Sequence, residues 1–91
     1  MTYALVFTTR YERIEKRFLR RHPELRQLYR KTLRLLEADP FHPSLRLHPL
    51  QGRLAGLHSA SINLSYRITL ELLIENGQIL PINVGDHDAV Y

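Results

Sequence analysis

Three side chains in this 91-residue chain, His48, Arg67 and His87, are of the types that phosphodiester chemistry uses. Cleaving an RNA backbone without a metal takes a base for the 2′-hydroxyl proton and an acid for the departing 5′-oxygen. It also takes a cation to stabilise the charge that develops on phosphorus. Histidine titrates in the range that serves both proton transfers. Arg67 belongs to an alternating stretch in which Tyr66, Ile68, Leu70, Leu72 and Ile74 form the apolar face, so it points to the opposite face. His48 lies in a proline-bounded entry to the sheet, and His87 follows the last strand in Gly85-Asp86-His87-Asp88. Both fall near the rim of the face that Arg67 shares. Plainer readings stand beside this one: a cross-strand salt bridge for Arg67, and ordinary surface positions for the histidines. Metal binding by His48, Asp86, His87 and Asp88 is the rival chemistry. The short Asp-His-Asp run cannot aim three ligands at one ion unaided, and no second histidine stands at helical spacing, so no metal or other cofactor is expected. The chain has no glycine-rich phosphate loop and no Gly-x-Ser-x-Gly elbow.

The elements that must position these residues read as follows. Tyr3 to Phe7 forms a short strand, and Thr9-Arg10-Tyr11-Glu12 fits a capping box for a first helix. Tyr11, Ile14 and Phe18 share its apolar face, while Arg10, Arg13, Arg17 and Arg20 form a basic rail beside it. Pro23 suits the first turn of a second helix, whose apolar face carries Leu25, Leu28, Tyr29, Thr32, Leu33, Leu35 and Leu36. Arg26, Arg30 and Arg34 follow its outer side at four-residue spacing, and Asp39-Pro40 ends it. After an irregular connection over 40–52, the period changes to two. A strand covers roughly Leu54 to Ile62, a second runs through Tyr66 to Glu75, and Asn76-Gly77 turns the chain back. The last strand, Ile79 to Val84, carries Leu80, Ile82 and Val84 on one face, with Pro81 at an edge or unpaired position. The expected fold is α+β, in the order β-α-α-β-β-β. A four-stranded, antiparallel-rich sheet has a helical hairpin on one face and leaves the other bare.

Length allows one domain, spanning 1–91, with one modest core. The formal charge of +4 hides an asymmetry. Residues 1–34 carry ten basic and three acidic side chains, a local +7, and residues 35–91 carry three and six, a local −3. Eleven of the thirteen cations are arginine, which suits bidentate contact with phosphate or carboxylate and points to an anionic partner. The absence of cysteine excludes a disulfide framework, a thiolate zinc site and thiol catalysis. The first residues lack the charged start and apolar stretch of a signal peptide, so a soluble cytoplasmic domain without membrane contact is expected.

His48-Pro49-Leu50-Gln51-Gly52, then Leu54-Ala55-Gly56, then Tyr66-Arg67-Ile68, and finally Gly85-Asp86-His87-Asp88-Ala89-Val90-Tyr91 together resemble the RelE/ParE toxin superfamily. Its YafQ-type and YoeB-type branches, from bacterial type II toxin–antitoxin systems, are the most similar. The resemblance spans essentially the whole chain. It implies a microbial-ribonuclease-like fold and a ribosome-dependent endonuclease that cuts mRNA without metal and is neutralised by a cognate antitoxin. His48 matches the YafQ-type histidine of the HPLQG motif, at the place of the YoeB-type glutamate base. Arg67 matches the YoeB-type arginine on the scissile phosphate. His87 matches the histidine near the YafQ-type carboxyl terminus, and Tyr91 a terminal aromatic that stacks on substrate. The arginines at 10, 13, 17, 20, 26, 30 and 34 would then hold ribosomal RNA. Two positions depart from the pattern: Ser61 replaces the second YafQ-type histidine, and Ser65 the acidic residue four positions on. Either Arg67 and His87 supply a YoeB-like arrangement, or activity is weakened. His58, on the face opposite Ser59 and Ser61, and Asp86 are auxiliary candidates. The resemblance also admits a ParE-like inhibitor of DNA gyrase that acts by protein contact, and a ribosome- or RNA-binding relative with weakened catalysis.

Overall fold

The structure, a computed structural model, describes residues 2–86. Its elements run in the order β1 (Ala4–Leu5), α1 (Thr9–Arg21), α2 (Arg26–Ala38), β2 (His48–Pro49), β3 (His58–Ser61), β4 (Tyr66–Leu73) and β5 (Gln78–Asp86). One mixed sheet has the strand order β1-β5-β4-β3-β2, with β1 parallel to β5 and every other neighbour antiparallel. The α+β class and the helices on one face are as expected. The sheet has five strands among the described residues, not four, because His48–Pro49 pairs with β3. The strand expected over Leu54 to Ile62 is shorter, since Gly52–Leu54 coils into a 3₁₀ turn first.

Helix α1 starts one residue earlier than the capping box suggests. Thr8 is the cap: its extended backbone aims the hydroxyl at the Tyr11 N–H, 3.0 Å away. Thr8→Ala is expected to cost about 1 kcal/mol in a denaturant titration, and Thr9→Ala only a few tenths. Pro23 opens a short 3₁₀ turn, Pro23–Leu25, that leads into α2. The helix ends at Asp39, which is extended as the residue before a proline must be.

The core lies between the helices and one sheet face, with Tyr11, Phe18, Tyr29 and Leu36 packed over Ala60, Ile68, Leu70, Ile79 and Val84. Tyr29 joins the two helices. Its hydroxyl donates to Glu15 Oε2 at 2.6 Å and lies 2.7 Å from the Tyr11 hydroxyl, while its ring packs on Phe18. Burial pushes both tyrosine hydroxyls well above the ordinary tyrosine pKa, with the neighbouring Glu15 charge acting in the same direction.

Strand β5 departs from the period-two reading. The β4–β5 register shifts between Thr69 and Leu70, pairing Thr69 with Asn83 but Leu70 with Pro81. Ile82 is the extra residue of a bulge, so Ile79, Pro81 and Val84 face the core in place of Leu80, Ile82 and Val84. Pro81 sits inside the sheet yet past the end of β1. The last rung there is Val6 N–H to Ile79 C=O, and the next would require an N–H from residue 81. Ile74 is exposed because it lies in the turn Ile74–Gly77, where Gly77 takes a left-handed backbone (φ 63°). Val6 and Phe7 have left the strand and are also exposed.

Candidate active site and cationic cleft

The register decides which residues share a face. Arg67 pairs with Ser61 on β3 and Gly85 on β5; Thr69 pairs with Ser59 and Asn83; Ser59 in turn pairs with His48 on β2. Residues opposite one another in a ladder project to the same side. His48, Ser59, Ser61, Arg67, Thr69 and Asn83 therefore share the face turned away from the helices. Two strand spacings of about 4.8 Å and two residues along the strand set the Cα atoms of His48 and Arg67 roughly 12 Å apart. Long side chains at that separation can bracket one phosphodiester.

This face is not bare at its centre. Ser59 and Thr69, opposite one another on β3 and β4, are closed off from solvent. Ser59 Oγ, Thr69 Oγ1 and Arg67 Nε are buried without a hydrogen-bond partner among the described residues. Arg67 also has no ion pair among them. Its cross-strand partners are a serine and a glycine, so the cross-strand salt bridge has no carboxylate to form with. Glu71, on the same face, stands about 13 Å along the strand.

His48 is exposed on the edge strand, with Nδ1 3.0 Å from the Arg46 carbonyl oxygen. A carbonyl only accepts, so the contact places the neutral ring's proton on Nδ1 and makes Nε2 the basic nitrogen. Arg46 takes a left-handed backbone (φ 48°, ψ 42°) directly after the Pro43–Leu45 turn, and this re-aims the chain into β2. Nothing in the sequence marks Arg46 for that conformation.

The auxiliary candidates separate. Ser61 lies beside Arg67, but its hydroxyl donates to the Asn63 carbonyl at 2.6 Å and so holds the β3–β4 turn. Ser65 is exposed in that turn, outside the strand pairing, with its N–H bonded to Asn63 Oδ1. His58 pairs with Leu70 on the helix side, as alternation requires, so it does not join the Arg67 site. Asp86 pairs with Tyr66 at the last rung of β4–β5 and also lies on the helix side. His87 and Tyr91 lie outside the described residues. No group of three His, Cys, Asp or Glu among the described residues could hold a metal ion.

The arginines of both helices are exposed, but they do not form two simple rails. Arg10, Arg17 and Arg21 line a cleft of about 500 Å³ between α1 and the end of β4–β5, with His22, Tyr66 and Asp86. Arg20, Arg26 and Arg30 turn instead into a groove between the helices, above Leu19, Tyr29 and Leu33. Arg21, four residues after Arg17, joins the cleft although it lies outside the Arg10–Arg20 rail.

No protein-family model and no curated protein matches the sequence. Solved structures do match. YafQ from Escherichia coli superposes with a TM-score of 0.79 at 16% identity, over 98% of both chains. YafQ in the E. coli DinJ–YafQ toxin–antitoxin complex gives 0.78 at 18%, over 100% of this chain and 99% of that one. A YoeB/ParE toxin from Agrobacterium tumefaciens gives 0.69 at 21%, over 92% and 98%. The chain has the RelE/ParE toxin fold. Within this YafQ-like fold, the shared face offers an imidazole at the sheet edge, a guanidinium two strands away and two hydroxyls between them, the guanidinium Nε and the hydroxyls without hydrogen-bond partners among the described residues. That set can bind a phosphate and take a proton from a hydroxyl beside it.

Proposed function

We propose that this chain is the toxin of a type II toxin–antitoxin pair, an endoribonuclease that cuts mRNA on the ribosome in the cytoplasm. The observation that carries the reading is Arg67. It is held in the middle of the sheet, with Nε buried and no internal partner among the described residues, on the face that also carries His48. Natural proteins rarely leave a buried donor unmade, so a water or a bound anion must complete it.

In the proposed step, His48 Nε2 accepts the proton of the 2′-hydroxyl and the 2′-oxygen attacks phosphorus. Arg67 holds the phosphate oxygens as charge accumulates. The bond from phosphorus to the 5′-oxygen breaks, and His87 protonates the leaving oxygen. The products are a 2′,3′-cyclic phosphate and a 5′-hydroxyl. Tyr91 stacks on a substrate base. The toxin fold, seen in YafQ bound to DinJ, supports a cognate antitoxin as partner.

Primer extension on mRNA from a translating extract tests the reading. Codon-positioned cuts are expected with the wild-type chain and are expected to fall at least about 100-fold with His48→Ala. Cuts that persist unchanged in that variant reject His48 as the base. Inhibition of DNA gyrase supercoiling with mRNA left intact would replace the nuclease by a ParE-like inhibitor.

A further inference from the structure

The cleft between α1 and the β4–β5 end contains neither His48 nor Arg67, although Asn83 and Gly85 of β5 border it, and it is built differently. One wall presents Arg10, Arg17 and Arg21, all exposed and none with an ion pair among the described residues. The other wall is aromatic: the His22 ring lies 4.7 Å from Tyr66, and Phe18 backs both rings at 5.0 and 5.6 Å. Tyr66 is half-buried, so its ring is held by this packing while part of it faces solvent. Guanidinium groups opposite a fixed aromatic surface are the two halves of single-strand nucleic-acid recognition, one for the phosphate and one for the base. A volume of about 500 Å³ lies within the usual range for a small-molecule site.

Position supplies the second argument. Tyr66 immediately precedes Arg67, and consecutive strand residues project to opposite faces. Tyr66 pairs with Asp86 at the terminal rung, and Arg67 with Gly85 at the next. A strand of RNA crossing this end of the sheet therefore passes the cleft and the Arg67 face in succession. Asp86 limits how deep a phosphate sits, which favours contact with the arginine wall over the cleft floor.

We infer that this cleft is a subsite for one nucleotide of single-stranded RNA flanking the scissile bond, its phosphate on Arg17 and Arg21 and its base against Tyr66 and His22. The inference rests on the nuclease reading for the words "scissile bond", but binding at the cleft stands or falls separately.

The probe is an eight-nucleotide single-stranded RNA with 2′-O-methyl groups, which cannot be cut, titrated calorimetrically at several salt concentrations. Arg17→Ala/Arg21→Ala is expected to weaken binding at least tenfold and to reduce the salt slope by about 0.7, the value for one phosphate neutralised on a single strand. Lys16→Ala/Lys31→Ala removes the same charge elsewhere and is expected to change affinity less than threefold. His48→Ala is expected to bind the probe within twofold of wild type while losing cleavage of ordinary mRNA. In the wild type, the ring proton signals of His22 and Tyr66 are expected to shift on titration, a readout that needs no variant. Equal losses in the two double variants would overturn the subsite in favour of diffuse charge. Unshifted ring signals would overturn it as well. So would a cleft variant that binds RNA normally but loses its antitoxin, which would give the arginines to the protein partner. Intact binding with no cleavage by any form would sink the nuclease reading and leave the subsite standing.

Discussion

Arg67→Ala is expected to slow mRNA cleavage by about 100- to 1,000-fold without lowering thermal stability. The rate effect is that of removing one preorganised donor aimed at developing charge. The stability effect follows from the position of the residue. Arg67 stands between Ser61 and Gly85 with Nε buried and without a partner among the described residues, so the folded protein already bears its desolvation. Removing a buried, unmatched polar group is neutral or stabilising, whereas removing half of a matched pair is costly. The melting temperature of Arg67→Ala should therefore equal or exceed that of the wild type. Arg67→Lys keeps the charge but loses the planar fork, and should recover only part of the rate. Initial cleavage rates by primer extension, with thermal melts on the same samples, check both signs. A variant that melts well below wild type would mean that Arg67 serves the fold, and its lost activity would then say nothing about phosphate binding.

The second large effect belongs to the junction of the helices. Tyr29→Phe keeps the ring and removes the hydroxyl that joins Tyr11 to Glu15, leaving two polar groups short of a partner. The expected cost is about 1–3 kcal/mol, or roughly 10 °C in melting temperature for a domain of this size. Tyr29→Ala also removes the packing on Phe18 and should cost about 3–5 kcal/mol, a large share of the total stability of a chain this short. The same pair sets an alkaline limit. Both hydroxyls have folded-state pKa values raised above the unfolded value of about 10 by burial. The stability they support is complete below pH 10 and is lost as pH rises towards the folded-state values. Urea titrations between pH 8 and 11 should show stability falling above pH 10, and falling less steeply in Tyr29→Phe.

Much of this architecture is legible in the sequence because it depends on local period. The apolar stripe of Tyr11 and Phe18, the stop at Asp39-Pro40, the turn at Asn76-Gly77 and the side of β4 that Arg67 occupies all follow from spacing within one element. Spacing cannot choose the cap between Thr8 and Thr9, since both carry hydroxyls and only the backbone angle separates them.

What spacing within an element cannot contain is the pairing between elements. His48 joins the site through its pairing with Ser59, eleven residues further along the chain with a 3₁₀ turn between them. The bulge at Ile82 exchanges the faces of half a strand, since one extra residue inverts every side chain beyond it. The burial of Ser59, Thr69 and the Nε of Arg67 belongs to the assembled sheet. The cleft joins α1 to the far end of β5. Composition and period determined that the chain is basic, α+β and suited to an anionic partner. Only tertiary structure decided which cations meet which histidine and which aromatic ring, because register is set by the hydrogen-bond ladder and the shared core, both made of residues distant along the chain.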